Sequence, residues 1–211
     1  RAVRIPLYCE RREGPAQTGR AGNGLFLRLI LLLLLLTALA SAETRVLVVY
    51  DSVEGHTEKV ALWVADGVRS QPDATLRLLR VEQATHDDLA WADAILVGSP
   101  VYNAGLTPKV GTFLAEWPFD DNPLQNRIGG AFVSSRGASA GSENALFDIL
   151  KTMLIFRMVL VGGEDWRSGF GVTYVLDGSN EATLGFTETQ SRNLGIRACR
   201  LARCTMEMRG R

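Results

Sequence analysis

The sequence predicts an α/β protein with a doubly wound, five-stranded parallel sheet. Three observations carry that prediction. Short apolar runs rich in valine recur along the chain, segments of helical period separate them, and the loops after the first, third and fourth runs are rich in Gly, Ser, Thr and Pro. Unbroken apolar runs, as opposed to alternating ones, are what a strand covered on both faces requires.

The elements follow in order. Arg45 to Tyr50 (Arg-Val-Leu-Val-Val-Tyr) is the first strand, and Val60, Trp63, Val64 and Val68, at i, i+3, i+4 and i+8, mark the helix after it. Leu76 to Val81 is a weaker, more polar strand and belongs at an edge. A short helix leads to the third strand, Ala94 to Gly98, and Val110, Phe113, Leu114 and Trp117 then repeat at helical spacing. Gly130 to Ser134 is the fourth strand, followed by a helix through Leu146, Ile149, Leu150, Met153 and Leu154. Met158 to Val161 completes the five. Gly162 to Asn180 reads as irregular, and a last helix is expected between about Glu188 and Cys204. Parallel neighbours need crossover connections, so this alternation places helices on both faces and confines ligand binding to the loops beyond the carboxyl ends of the strands.

The full chain has 211 residues, 46% of them hydrophobic, with 23 Lys plus Arg against 23 Asp plus Glu. The average hides an uneven distribution. Leu29 to Leu36 is an unbroken aliphatic run, and the apolar stretch from Leu29 to Ala42 falls short of the roughly 20 residues that span a bilayer. It ends in Ala40-Ser41-Ala42, a small-x-small pattern, so residues 25–42 are read as a signal peptide cleaved after Ala42, with an uncleaved membrane anchor as the alternative. Cleavage would export the domain, to a periplasm or outside the cell. Residues 1–24 are long and Arg-, Gly- and Pro-rich for a signal's n-region, an atypical extension that suggests a non-native start. Residues 43–211 then form the globular domain. Without the six arginines and two acids of residues 1–42 the chain carries 17 bases against 21 acids, a balance that argues against nucleic-acid binding. Cys199 and Cys204, five apart on a predicted helix, suggest neither a disulfide framework nor a zinc site.

Three loops remain for function. After the first strand, Asp51-Ser-Val-Glu-Gly-His-Thr57 enters a helix; Ser52 and Thr57 supply hydroxyls, Gly55 a tight turn, and the helix amides a positive dipole end. The loop lacks the glycine patterns of nucleoside-triphosphate and dinucleotide sites and contains no Lys or Arg, so a monophosphate held by neutral donors is its natural guest. A turn capped by Ser52 and Thr57 would need the same residues. After the third strand, Ser99 to Pro108 offers Tyr102 as a ring for a planar heterocycle and the amides from Tyr102 to Gly105 for its edge. After the fourth strand, Ser134 to Glu143 opens a helix with Ser142 as its expected N-cap, and its glycines let backbone approach a ligand. Arg136 is the only Lys or Arg in the three loops and suits the negative charge of a reduced ring.

These three segments resemble the flavodoxin superfamily, and within it the branch of tryptophan-repressor-binding proteins, which are FMN-dependent NAD(P)H:quinone oxidoreductases. The resemblance covers roughly Arg45 to Arg203. It implies that Ser52, Val53, Glu54, Gly55, His56 and Thr57 bind the FMN phosphate. It also implies that Pro100, Val101, Tyr102 and Asn103 flank the isoalloxazine, and that Ser135, Arg136, Gly137, Ala138, Ser139 and Ala140 line its other side. FMN would be the cofactor, NAD(P)H a co-substrate, and a small-molecule acceptor such as a quinone the partner, with transfer of two electrons. No side chain is required as nucleophile or base.

Four departures bear on that implication. Glu54 replaces an aromatic residue near the nicotinamide, and its charge should repel a phosphate-bearing NADPH. Ile155 and Phe156 fall where the branch places a histidine by the flavin edge, and Pro118 to Asp121 contains no counterpart of a tryptophan that borders the substrate pocket. The stretch after the fifth strand differs in length in a region that helps build the branch's tetramer, so a homo-oligomer is an open expectation. A one-electron flavodoxin-type carrier and a cofactor-free binding or regulatory module remain the alternatives. Of the other marked residues, His56 is expected at the phosphate or the helix cap, His86 in solvent, Trp63 in the core, and Trp91 and Trp166 at the rim or in the core.

Overall fold

In a computed structural model, residues 43–177 and 180–209 are described. Residues 1–42, with their readings as extension, signal peptide or anchor, lie outside the described residues. Among the described residues no helix is long and apolar enough to cross a membrane.

Side chains alternate across a strand, and that alternation divides the core in two. In β1 (Thr44–Tyr50), Val46 and Val48 enter one buried cluster and Leu47 and Val49 the other, all four with no solvent exposure. The chain continues through α1 (His56–Arg69), β2 (Ala74–Arg80), α2 (His86–Trp91), β3 (Ala94–Pro100), α3 (Pro108–Ala115), β4 (Ile128–Ser135) and α4 (Ser142–Ile155). It ends with β5 (Val159–Leu160), a 3-10 turn (Trp166–Ser168), β6 (Val172–Val175) and α5 (Glu181–Met208). Val60, Val64 and Val68 of α1 meet Leu194 and Ala198 of α5 on one face of the sheet; Phe113 of α3 and Ile149 and Met153 of α4 fill the other. The doubly wound arrangement is therefore present, and β2 is an edge strand whose residues are all half-buried.

The sheet runs β2-β1-β3-β4-β5, every pair parallel. Its fifth position corrects the expectation of one strand at Met158 to Val161. That position is split: Ile128 and Gly129 of β4 pair with β5, while Phe132 to Ser135 pair with β6. Between the halves the chain makes an excursion closed by a Gly163 amide bond to the Ser168 carbonyl, 2.7 Å. Part of the stretch expected to be irregular is thus a sheet strand. The last helix is also longer than expected, beginning at Glu181 and ending at Met208.

Trp63 is half-buried, edge-on to Tyr174 at 6.1 Å, and Trp91 lies beneath the Arg77 guanidinium at 4.1 Å. Trp166 is in neither core nor cleft, standing 87% exposed on the excursion. His86, though exposed, does not simply face water: its Nε2 lies 2.7 Å from the Glu116 carbonyl.

Candidate cofactor cleft

Strand order reverses direction between β1 and β3, and a cleft of about 330 Å³ opens beyond the carboxyl ends of β1, β3 and β4. Twelve of the sixteen residues singled out from sequence line it: Ser52, Val53, Glu54, His56, Thr57, Pro100, Val101, Tyr102, Asn103, Ser135, Arg136 and Ala140. Gly55, Gly137, Ala138 and Ser139 are not in the lining. Gly55 instead sets the geometry, capping α1 in the left-handed region at φ 85°. Two lining residues were missed. Ser134 is the penultimate residue of β4, and Leu176 follows the unforeseen strand β6, its amide bonded to the Ser135 carbonyl.

The loop after β1 is an anion cradle. The Glu58 amide donates to Ser52 Oγ at 3.2 Å, while the His56 and Thr57 amides, at the start of α1, have no acceptor among the described residues. Ser52 Oγ thus accepts one amide of the first turn although Gly55 is the cap, while Thr57 caps nothing: its Oγ1 lies 2.8 Å from Ser134 Oγ, both buried. With Ser134 as donor, the Thr57 proton is left for a ligand. The loop is held from behind by Arg80, whose two terminal nitrogens each lie 3.2 Å from the Ser52 carbonyl. Arg80 also approaches Glu58, which accepts the Tyr50 hydroxyl; burial and that carboxylate push the Tyr50 phenol above its ordinary value.

The other two loops supply the walls. Tyr102 and Gly105 exchange backbone hydrogen bonds at 2.9 Å, so two of the four amides expected to meet a ring edge are occupied; Asn103 and Ala104 sit between them at positive φ. Tyr102 and Val53 are 58% and 74% exposed, two apolar surfaces left open at the cleft. In the third loop Ser142 is not the N-cap. Gly141 takes that position at φ 94°, and Ser142 Oγ donates to Ser135 Oγ at 2.9 Å. Arg136 is paired: its Nη2 bridges both carboxylate oxygens of Glu54, at 2.6 and 2.7 Å.

Two segments associated with the pocket by resemblance, Ile155-Phe156 and Pro118 to Asp121, lie outside the cleft lining. The first turn of α4 is at the cleft through Ser142, and the helix rises about 20 Å over its 14 residues. Ile155 and Phe156 are therefore at the end of α4 remote from the cleft, where with Trp117 and Phe119 they line a separate cavity of about 590 Å³.

The donor set suits FMN: unclaimed amides and hydroxyls for a phosphate, two exposed apolar side chains for a planar ring, and a cleft within the size range of ligand sites. A flavodoxin-domain family model matches residues 47–145. The chain is 38% identical over 129 residues to a protein named flavodoxin from Aquifex aeolicus, spanning 58% of this chain and 66% of that one. It is 34% identical over 155 residues to a protein named NAD(P)H dehydrogenase (quinone) from Rhodopseudomonas palustris, covering 63% of this chain and 76% of the relative. A WrbA-like flavodoxin structure from Agrobacterium tumefaciens superimposes with a TM-score of 0.61 at 22% identity, over 77% of this chain and 99% of that one.

Proposed function

The chain belongs to the flavodoxin family, and from that premise we propose that it is an FMN-dependent oxidoreductase passing two electrons from NAD(P)H to a quinone-like acceptor. The observation that carries the reading is the cradle at the start of α1, whose unclaimed His56 and Thr57 amides share one cleft with the exposed ring of Tyr102.

When bound, FMN supplies the redox chemistry. The protein's part is to bind and orient. The α1 amides and the hydroxyls of Ser52 and Thr57 would hold the phosphate without a formal positive charge. Pro100, Val101, Tyr102 and Asn103 would flank one side of the ring, and Ser135, Arg136 and Ala140 of the loop after β4 the other. Glu54, which the resemblance puts near the nicotinamide, would meet it as part of an ion pair with Arg136, which weakens the repulsion its carboxylate alone would exert.

The test is an absorbance spectrum of the purified protein after reconstitution with FMN, followed by NADH and NADPH oxidation with benzoquinone. A bound-flavin spectrum and acceptor-dependent nicotinamide consumption are expected. A protein that stays colourless overturns the reading in favour of a cofactor-free binding module. The Aquifex relative's name favours a second reading, a one-electron carrier. Reductive titration separates them: one two-electron step for the oxidoreductase, two one-electron steps and negligible nicotinamide consumption for the carrier.

A further inference from the structure

We propose that Glu54 and Arg136 form an ionic clasp across the mouth of the cleft, which retains a flavin mononucleotide and discriminates against a dinucleotide. The inference rests on the FMN reading above and adds residues with defined roles to it. Glu54 belongs to the loop after β1 and Arg136 to the loop after β4, 82 positions apart, and both line the cleft. One guanidinium nitrogen reaches both carboxylate oxygens at 2.6 and 2.7 Å. Each partner has a fixed base. Glu54 immediately precedes Gly55, the cap of α1, and the backbone of Arg136 is tied to the sheet edge by the Asp177 amide, 2.9 Å from its carbonyl.

The placement explains an otherwise unfavourable choice of residue. A carboxylate beside a phosphate cradle repels the anion the cradle is built to hold. Arg136 compensates that charge, so it acts on the ligand through Glu54 and is a positioning residue. A mononucleotide ends at its phosphate and fits beneath the bridged loops. A dinucleotide carries a second phosphate outward past Glu54, adding negative charge and parting the two loops. His56 Nε2, 3.7 Å from Glu54, is the other titratable group at the carboxylate. The side chains are 78% and 51% exposed, so salt weakens the clasp and its effect is a matter of several-fold changes.

The test measures affinity and release rate for FMN and FAD by flavin fluorescence, at low and high salt, in the wild type, Arg136→Met, Glu54→Gln and the double variant. Arg136→Met, which leaves the carboxylate uncompensated, is expected to weaken FMN binding several-fold. Adding Glu54→Gln should bring affinity back to within about threefold of wild type, while FMN leaves several-fold faster and the preference over FAD shrinks. High salt should move the wild type toward the double variant. If the double variant binds FMN as weakly as Arg136→Met, the arginine contacts the phosphate itself and the clasp is wrong. An unchanged preference over FAD in the double variant overturns it equally. Should wild type and variants alike bind no flavin, the FMN reading falls first and the clasp with it.

Discussion

Gly55 and Gly141 cap the two helices that meet the cleft, both at positive φ, yet their surroundings differ. A Cβ on Gly55 would meet nothing within 4 Å, whereas one on Gly141 would come within 2.5 Å of the Ala104 backbone. Gly55→Ala therefore pays only the left-handed conformation, about 1–2 kcal/mol. Gly141→Ala adds a backbone clash and should cost more, moving the Tyr102 to Gly105 turn as it does so. Urea denaturation of the two variants checks the ranking, and a smaller loss at Gly141 would contradict it. Cysteine chemistry separates along the same line of local environment. Burial pushes the Cys199 thiol up to about 11, while Cys204 is exposed. Alkylation near neutral pH followed by peptide mass mapping should label Cys204 and spare Cys199 until the protein unfolds. Equal labelling in the native state would refute that.

At the scale of elements, α2 is six residues long and relies on its cap. Thr85 Oγ1 accepts from the Asp88 amide, and the Asp88 carboxylate accepts from the Thr85 amide and hydroxyl and from Arg77. Burial alone would raise the Asp88 carboxyl, but the Thr85 hydrogen bonds and Arg77 outweigh it and hold it below its ordinary value. A carboxyl lowered by folding contributes stability above its unfolded pKa, near 4, and that contribution is lost as pH falls through the lower folded value. Thr85→Ala should cost about 1 kcal/mol at pH 7, and the gap from wild type should narrow in acid, as read from denaturation midpoints against pH. A gap independent of pH would show that the carboxylate plays no part. Elements with long periodic patterns, such as α1 and α4, were legible in the sequence because a buried stripe needs a fixed spacing. β6 was not: Val172-Thr-Tyr-Val175 is four residues with a polar interruption, and only pairing with β4 makes it a strand. Leu176 was missed with it. Residue identities in the three loops pointed to a phosphate and a ring, but the Glu54 to Arg136 bridge depends on two loops meeting, which no local pattern encodes.

Across the whole molecule, the cleft is built on the ends of three parallel strands; Thr57 to Ser134 and Glu54 to Arg136 link the loop after β1 to β4 and its loop, and Ser142 to Ser135 closes the loop after β4 on itself. Below that level the strands are locked by wholly buried residues on both faces. A ligand that touches all three loops therefore binds the folded chain and has no comparable site in the unfolded one. Mass action then gives about 2.7 kcal/mol at a free FMN concentration of one hundred times Kd. For a domain of this size each kcal/mol moves the melting temperature by about 2–4 °C, so saturating FMN should raise it by roughly 5–10 °C. Riboflavin lacks the phosphate that the α1 cradle holds. At the same concentration it should give a smaller rise, and Thr57→Val should bring the FMN response down toward it. Differential scanning calorimetry of the protein with each ligand decides the matter. Equal shifts with FMN and riboflavin would mean that the start of α1 does not hold the phosphate, and the cradle would then have to be assigned to some other anion.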